Sequence, residues 1–218
     1  LKTSNNERAT GNIRLTPTFF DDHLKIDVGV KYSYIENRFA DKGAIGGAIR
    51  MDPTQSIYNN TGLYGGYFAW LNNSNTPNNL ATNNPLAQLD YTYDESIVNR
   101  YIGDFQLQYK FHFLPDLKAT AKLGYDYSDA QGDKDIDPNA SWYTYGRTEI
   151  KKRYTQEKKN ELLDLYLNYD KELTSIDSKI DVMGGYSWQH FWDANEDDIL
   201  FKDGEQKNIV GEKEYYLL

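Results

Sequence analysis

The side chains able to bind a transition metal are few and far apart in the sequence. The chain of 218 residues has no cysteine and three histidines, His23, His112 and His190, which lie in three separate segments. A zinc site needs several ligands that converge on one point, and no two of these histidines have the spacing of paired ligands. We predict no metal site: His23 is interpreted as a turn residue, and His112 and His190 as polar-face residues near strand ends.

One acidic stretch has the spacing with which a calcium loop begins. Asp133, Asp135 and Asp137 alternate in "DKDID". A complete EF-hand loop also has Gly at its sixth position and Glu at its twelfth, whereas Pro138 and Thr144 occupy those positions here. A solvated acidic loop is therefore the preferred interpretation, with a looser calcium site as the alternative, and no cofactor is predicted.

The usual motifs of enzymatic catalysis are missing from the sequence. The nucleophile motif G-x-S-x-G of many serine hydrolases does not occur. Glycosidases use two carboxylates that flank the scissile bond, and nothing in the acidic segments isolates such a pair. We predict that the chain is not an enzyme.

Aromatic and amide side chains concentrate in one segment, residues 55–93, which makes it the best candidate for contact with a ligand or a partner. Aromatic rings stack on sugars and peptides, while Asn amides hydrogen-bond hydroxyl groups and backbones. The alternative is a long loop that packs on its own protein. The candidate contact residues are Tyr58, Tyr64, Tyr67, Phe68 and Trp70.

Strands with two different faces dominate the rest of the chain. In "FQLQYKFHFLPDLKATAKLGYDY" (105–127), apolar residues alternate with Gln106, Gln108, Lys110 and His112, the period of a β-strand. Similar runs pair across short turns, which predicts three hairpins over about 8–40, 99–131 and 160–193. In the second hairpin we place the turn at Leu114-Pro115-Asp116.

The connections between the hairpins are far longer than the turns within them. They cover about residues 41–98 and 132–159, with a trailing segment at 194–218. Outer-membrane barrels alternate tight periplasmic turns with long extracellular loops in this way, and a β-sandwich rarely places every long loop at one end. We therefore predict an all-β, antiparallel transmembrane β-barrel segment, with a soluble carbohydrate-binding β-sandwich as the alternative.

Composition agrees with a barrel wall and excludes one class of partner. A formal charge of −9 argues against nucleic acid, which requires a clustered positive surface. The 19 tyrosines suit the aromatic girdles of membrane barrels. About six strands cannot close a barrel, since bacterial barrels begin at about eight, so residues 1–218 form part of a larger wall. The lumen-lining candidates are Gln106, Gln108 and Lys110, opposite a lipid-facing aromatic stripe.

Several motifs resemble one family, the SusC/RagA-like TonB-dependent transporters of Bacteroidetes outer membranes. "MDPTQSIYNNTGLYGGYFAW" (51–70) and "NNPLAQL" (83–89) resemble an extracellular segment of that family. "FLPDL" (113–117) and "GYSWQ" (185–189) are similar to its barrel hairpins. The resemblance covers most of residues 8–193.

The resemblance implies properties beyond those that the alternation predicts. It implies a barrel of the 22-stranded type with a plugged lumen, in a multi-pass protein of the bacterial outer membrane. A plug domain and a TonB-contacting segment would lie upstream and are not present here. The implied function is TonB-dependent import of nutrient oligomers, either glycan or peptide fragments. A SusD-like surface lipoprotein would cover the mouth.

Overall fold

The structure is a computed structural model, and it describes residues 2–78, 80–143, 149–201 and 206–217. Its strands are long and alternate in character along their length, because β-branched and aromatic residues recur at every second position. The strands are β1 (Asn5–Leu15), β2 (Thr18–Phe19), β3 (Leu24–Arg38), β4 (Thr92–Phe111), β5 (Leu114–Ile136), β6 (Glu149–Leu173), β7 (Ser178–Phe201) and β8 (Gln206–Leu217).

All the described strands belong to one antiparallel sheet. Its order is β1-β3-β4-β5-β6-β7-β8, and the short β2 pairs with β3. Tight turns between β2 and β3, β4 and β5, and β6 and β7 lie together at one end of the sheet, which we call the turn end. The opposite end, the mouth end, carries residues 39–91, which we call the mouth segment.

The strands are longer than the alternation predicted. β4 to β7 have 20, 23, 25 and 24 residues, about twice the 9–11 residues that span a bilayer. The predicted loop at 132–159 was too long, since β5 continues to Ile136 and β6 begins at Glu149. The prediction of a loop over 194–218 was wrong, because β7 continues to Phe201 and β8 follows it.

The turn between β4 and β5 also differs from its prediction. β4 ends at Phe111 and β5 begins at Leu114, so the turn is His112 and Phe113 rather than Leu114-Pro115-Asp116. The register shifts at Lys110/Phe111, where Phe111 pairs with Leu114. This irregularity lets Pro115 enter the strand directly after the turn, near the strand's start, where a missing N–H is tolerated.

The register of the sheet separates an apolar face from a polar face. Paired residues of antiparallel strands point to the same side, and one apolar set crosses six strands: Leu15, Val28, Phe105, Leu123, Leu163 and Trp188. The neighbouring set on the opposite side begins with Arg14, Gly29 and Asp104. We call these sides the apolar face and the polar face.

The apolar face has no covering layer within the described part of the chain. Val30 and Val182 are each 60% exposed and Leu167 is 50% exposed. A soluble β-sandwich would bury such residues under a second sheet, whereas the described strands form one sheet. Tyr32, Tyr101 and Tyr125 follow on the same face toward the mouth end, as an aromatic girdle would.

The mouth segment contains two short helices and a small core of its own. Helix α1 is Gly43–Arg50 and helix α2 is Pro85–Tyr91. Ala40, Ala44 and Leu89 form the buried cluster between them. Among the described residues, no helix has both the length and the apolar character needed to cross a membrane.

Candidate functional site

Asn84 holds the mouth segment together through four hydrogen bonds. It is 2% exposed, and its Oδ1 accepts from the backbone N–H groups of Leu86 (3.0 Å) and Ala87 (3.3 Å), which caps helix α2. Its Nδ2 donates to the carbonyls of Ile57 (2.7 Å) and Phe68 (3.3 Å). One amide side chain therefore fixes the start of the helix against both arms of the loop that carries the candidate aromatic residues.

Those two arms form a small hairpin. Tyr58 and Tyr67 make an isolated antiparallel bridge, and the Phe68 N–H donates to the Ile57 carbonyl at 2.9 Å. Gly65 lies at the hairpin's turn with φ of 64°, and a Cβ there would lie 1.7 Å from the Tyr91 hydroxyl oxygen. Both its backbone conformation and its close approach to Tyr91 therefore require glycine.

The candidate aromatic residues do not form a single cluster. Tyr58 and Tyr67 pack at 5.2 Å between ring centroids, and Tyr67 meets the edge of Tyr91 at 5.3 Å. Phe68 and Trp70 form a separate edge-to-face pair at 5.2 Å. Tyr91 lies within the candidate segment 55–93 at the end of helix α2, but sequence reasoning did not include it among the candidate contact residues. Its only signal in the sequence was its nearness to "NNPLAQL".

The fifth candidate, Tyr64, occupies the turn of the hairpin. It belongs to a short 3-10 element, Leu63–Gly66, with a left-handed φ of 51°. Tyrosine rarely adopts this conformation, so the turn is held by its surroundings. Strained residues of this kind concentrate at ligand clamps and switch regions.

The hydroxyl of Tyr67 is held by a carboxylate. It donates to Asp90 Oδ2 at 2.5 Å, and the Nζ atom of Lys2 lies 3.6 Å from Asp90 Oδ1. Burial, followed by the hydrogen bond to Asp90 and the charge of Asp90, raises the pKa of Tyr67 well above its usual value. Tyr67 is therefore a neutral hydrogen-bond donor at physiological pH.

Tyr58, Tyr67 and Tyr91, which we call the mouth cluster, combine ring surface with hydroxyl groups. Tyr58 is 57% exposed, while Tyr67, which contacts it, and Tyr91, which contacts Tyr67, are half-buried. An exposed ring held by two packed rings is preorganised for stacking on a sugar ring or on the apolar part of a peptide. The same geometry shows the loop packing on its own segment, and contact of these residues with a ligand or partner stays a prediction.

On the polar face, the three lumen-lining candidates follow one another along β4. Gln106, Gln108 and Lys110 occupy alternate positions, so their side chains lie on one side of the sheet. Gln108 lies opposite Lys25 and Thr120, and Lys110 lies opposite Lys118. Their contact with a lumen remains a prediction.

Ion pairs cross the polar face between strands. Arg14 of β1 contacts Asp27 of β3 at 2.7 Å and Asp104 of β4 at 3.1 Å. It reaches β4 because the residue between them is Gly29, where a Cβ would lie 2.4 Å from the Asp104 Oδ1 atom. Farther along, the two guanidinium nitrogens of Arg100 contact the carboxylate of Asp126 at 2.8 and 2.5 Å. Such bidentate pairs are geometrically specific.

Two of the three histidines come together at the turn end. The rings of His23 and His112 stack with centroids 4.1 Å apart and planes 9° from parallel. His23 lies in a turn, as predicted, and its Nδ1 lies 2.9 Å from the Phe20 carbonyl. His112 is a turn residue, hydrogen-bonded to the Tyr109 hydroxyl at 2.8 Å, which corrects its assignment to the polar face of a strand. The lone pairs of parallel rings do not converge on a shared metal.

The polar-face assignment of His190 was also wrong. His190 pairs with Glu161 in the register of Trp188 and Leu163, which places it on the apolar face, at its aromatic border. Its Nδ1 lies 2.7 Å from Glu161 Oε2, and its ring stacks on Tyr216 at 4.5 Å. Alternation from Trp188 assigns His190 to this side, and the polar character of the imidazole was given too much weight.

The three acidic residues of "DKDID" have separate partners. The Arg153 Nε donates to Asp133 at 2.9 Å, the backbone N–H of Ile136 to Asp135 at 2.8 Å, and that of Asn139 to Asp137 at 2.8 Å. Within the described part of the chain, no three His, Asp or Glu side chains are grouped to hold a metal ion.

The architecture defines a class of protein. A single sheet with an uncovered apolar face, a charged opposite face, tight turns at one end and a long segment at the other is part of the wall of an outer-membrane-type β-barrel. No family model matches the chain. The chain is 36% identical over 206 residues to the TonB-dependent receptor SusC of Bacteroides thetaiotaomicron, a match that covers 88% of the chain and 20% of the relative. It belongs to the SusC/RagA-like TonB-dependent receptors, as a segment of their barrel.

Two further comparisons agree with this assignment. The TonB-dependent receptor P26 of Formosa agariphila is 30% identical over 132 residues, covering 59% of the chain and 12% of the relative. A chain of the RagAB peptide importer in its closed-closed state superposes with a TM-score of 0.63 and 11% identity, over 98% of this chain and 25% of that one. This likeness shows the fold alone. The predicted family and fold class are confirmed, and the relatives are named as receptors and an importer, not as enzymes.

Proposed function

We propose that this chain forms barrel wall and mouth in a protein that imports nutrient oligomers across the bacterial outer membrane, with energy relayed by TonB. The chain spans about a fifth of the length of its SusC relative. One observation carries the proposal: the register gives the sheet one uncovered apolar face and one charged face, as a wall between lipid and an aqueous lumen requires.

The mouth cluster is the proposed contact for the cargo. Tyr58 offers an exposed ring that packs on Tyr67, and Tyr67 packs in turn on Tyr91. This arrangement suits glycan or peptide fragments, because both carry apolar surfaces beside hydrogen-bonding groups. The sheet continues beyond Tyr32 and Tyr101 toward the mouth end by about half the length of β3 and β4, which supports a position of the mouth segment outside the bilayer.

A surface lipoprotein of the SusD kind is the proposed partner at the mouth. The mouth segment exposes apolar side chains that its own small core leaves uncovered, including Ile49 at 80% and Leu80 at 92%. Exposed apolar residues on a surface otherwise rich in Asn and Thr suit a protein interface. The proposed neighbours are therefore lipid at the apolar face, TonB through the upstream part of the protein, and the SusD-like lipoprotein at the mouth.

Uptake by cells tests the proposed function. A strain lacking the full-length receptor should take up less of a labelled oligosaccharide or oligopeptide mixture, and a plasmid copy of the receptor should restore uptake. The restored uptake should disappear in a strain without functional TonB. Undiminished uptake in the deletion strain, or uptake that survives the loss of TonB, would contradict the proposal.

Binding by variants tests the mouth cluster separately. We expect Tyr58→Ala in the full-length receptor to weaken binding of the imported oligomer by up to about tenfold, since stacking on an aromatic ring contributes roughly 0.5–1.5 kcal/mol. The matched control is Leu63→Ala, which removes an exposed side chain from the same hairpin. Equal effects of the two variants on the dissociation constant would argue against a specific role for Tyr58.

A further inference from the structure

Two charged side chains lie on the apolar face at its aromatic border. Lys159 and Glu161 of β6 continue the side of the strand that carries Leu163. On β5, ten positions separate Leu117, near the turn end of this face, from Tyr127, which lies opposite Lys159. A strand tilted by about 40° rises about 25 Å over that distance, which is the height of the apolar band of a membrane barrel. Lys159 and Glu161 therefore lie at the level where lipid headgroups begin.

The two charges are only loosely paired with each other. The Nζ atom of Lys159 lies 3.8 Å from Oε1 of Glu161, which is longer than a hydrogen bond. Oε2 of the same carboxylate lies 2.7 Å from Nδ1 of His190, and because a carboxylate only accepts, the imidazole N–H donates. Within the described part of the chain, Lys159 has no other carboxylate within 4.0 Å. An ammonium group and a carboxylate oxygen with unused hydrogen-bonding capacity therefore lie side by side.

Aromatic residues flank this pair on both neighbouring strands. Tyr125 lies opposite Glu161, and Tyr127 and Trp192 lie opposite Lys159. Aromatic faces attract an ammonium group, and the hydroxyl groups of tyrosines at a membrane interface can donate hydrogen bonds. These surroundings suit a headgroup that carries both a positive and a negative group.

An apolar groove leads from this pair toward the turn end. Its volume is about 560 Å³, within the range of about 300–1,000 Å³ typical of sites for small molecules. Gly103 leaves a gap in the face, because a Cβ there would meet nothing within 4 Å. The groove is lined by Val30, Phe105, Leu123, Tyr125, Leu163 and Trp188, and Glu161 lines it at the end nearer the mouth. A lipid acyl chain, which needs no hydrogen-bonding partner, matches such a lining.

The order of these features along the face indicates the kind of lipid. The apolar groove comes first, Glu161 lies at its end, and Lys159 follows one step nearer the mouth end. A phosphate can contact the Lys159 ammonium, as lysines commonly do. A headgroup with a phosphate alone would leave Glu161 unmatched and would bring a second negative charge close to it, whereas a headgroup with an additional amine would satisfy both side chains.

We propose that Lys159 and Glu161 bind the headgroup of a phospholipid that carries a phosphate and a primary amine, as phosphatidylethanolamine does, with an acyl chain in the groove at Gly103. Lys159 contacts the phosphate, and Oε1 of Glu161 accepts from the amine. His190 is a positioning residue, because its hydrogen bond holds the other oxygen of the carboxylate. The inference rests on the proposed function, because it requires that the apolar face meets lipid.

Native mass spectrometry of the full-length receptor tests the site. The receptor, delipidated in detergent, is titrated with phosphatidylethanolamine or with phosphatidylglycerol, whose headgroup has a phosphate and no amine, both with the same acyl chains. We expect the first lipid to bind about fivefold more tightly, which corresponds to about 1 kcal/mol and to the contribution of one exposed ion pair. Equal binding of the two lipids, or tighter binding of phosphatidylglycerol, would overturn the inference.

Two substitutions assign the preference to these residues. Glu161→Gln should remove the preference for phosphatidylethanolamine, and Lys159→Gln should weaken binding of both lipids. The matched control is Lys179→Gln, which removes a lysine from the polar face, where it contacts Asp170 at 2.9 Å, and should change neither. A preference that survives Glu161→Gln, or equal effects of Lys159→Gln and Lys179→Gln, would also overturn the inference.

Failure of the lipid site and failure of the proposed function give different results. A receptor that imports its oligomers normally but binds the two lipids equally would refute the lipid site and leave the proposed function standing. Undiminished uptake in the deletion strain would contradict the proposed function whichever lipid the receptor binds.

Discussion

The wall and the mouth segment reach their conformations by different means. In the wall, strands of 20 to 25 residues pair along nearly their whole length, and backbone hydrogen bonds fix the register. Among the described residues of the mouth segment, Ala40, Ala44 and Leu89 form a small buried cluster, and the buried side chain of Asn84 supplies the connecting hydrogen bonds. The wall is stabilised by many equivalent backbone hydrogen bonds, whereas the mouth segment depends on the contacts of a few single residues.

This difference predicts how the two regions respond to substitution. A change in the wall should matter according to the face on which it lies, because the face decides whether the side chain meets lipid or the charged interior. In the mouth segment, a substitution at the buried Asn84 should cause a large loss of stability, and a substitution at one of its exposed neighbours a small one. Four substitutions or titrations test the comparison, beginning with the largest expected effect.

A charge on the apolar face should be the most damaging change. Leu165 lies on that face between Ala121 and Tyr186, so Leu165→Lys places an ammonium group against lipid and should cost about 2–4 kcal/mol of folding free energy. The measurement is urea unfolding of the full-length receptor in lipid vesicles. The matched control is Leu162→Lys, the same substitution on the polar face of the same strand. Equal losses would mean that the faces are assigned wrongly.

Loss of the Asn84 amide should loosen the mouth segment alone. Asn84→Ala removes the cap of helix α2 and leaves the Ile57 carbonyl without its 2.7 Å donor, which should cost about 1–3 kcal/mol. Hydrogen exchange should accelerate at the backbone amides of residues 57–68 and 85–91 and stay unchanged in β4 and β5. Asn78→Ala is the control, because the Asn78 side chain is exposed and accepts only from the Leu80 N–H. Similar exchange in the two variants would contradict the role given to Asn84.

A single methyl group should disturb the wall at one glycine and not at another. A Cβ at Gly132 would lie 2.1 Å from Cζ of Tyr154, which crosses that glycine to donate to Asp94 at 2.9 Å. Gly132→Ala should therefore break this hydrogen bond and cost about 1 kcal/mol. Gly103→Ala is the matched control, because its Cβ would meet nothing within 4 Å. Thermal unfolding compares them, and a greater loss for Gly103→Ala would refute the explanation.

Alkaline pH should weaken the mouth segment through Tyr67. The pKa of Tyr67 is raised in the folded state, first by burial and then by its hydrogen bond to Asp90, whereas an unfolded tyrosine ionises near about 10. The stability from this contact is fully present below that pH and declines as pH rises above it. Phenolate absorbance should show the same number of tyrosines ionising at ordinary alkaline pH in the receptor and in its Tyr67→Phe variant. The receptor should show one additional tyrosine that ionises at higher pH. Identical titrations, scaled for tyrosine count, would contradict this.

The alternation of residues predicted much of the wall and little of the mouth. Phe105, Leu107 and Tyr109 lie on one face because a strand's side chains alternate whatever its partners are. Strand ends were misjudged where polar residues continue a strand beyond the apolar band, as in "DKDI" of β5 and most of β8. Both lie where neither face is apolar, so periodicity gives no signal there. His112 was misjudged because it lies in the turn rather than in the strand, and His190 because its polarity was given more weight than its alternation with Trp188.

The sequence by itself determined the two faces of the sheet, the short turns and the family, because each depends on residue types at fixed local spacing. Only the tertiary structure decided which side chains meet across strands. Tyr91 packs on Tyr67, Arg14 crosses Gly29 to Asp104, and Lys110 lies opposite Lys118. These contacts depend on the register between segments far apart in the chain, and register is a property of paired strands rather than of either strand alone.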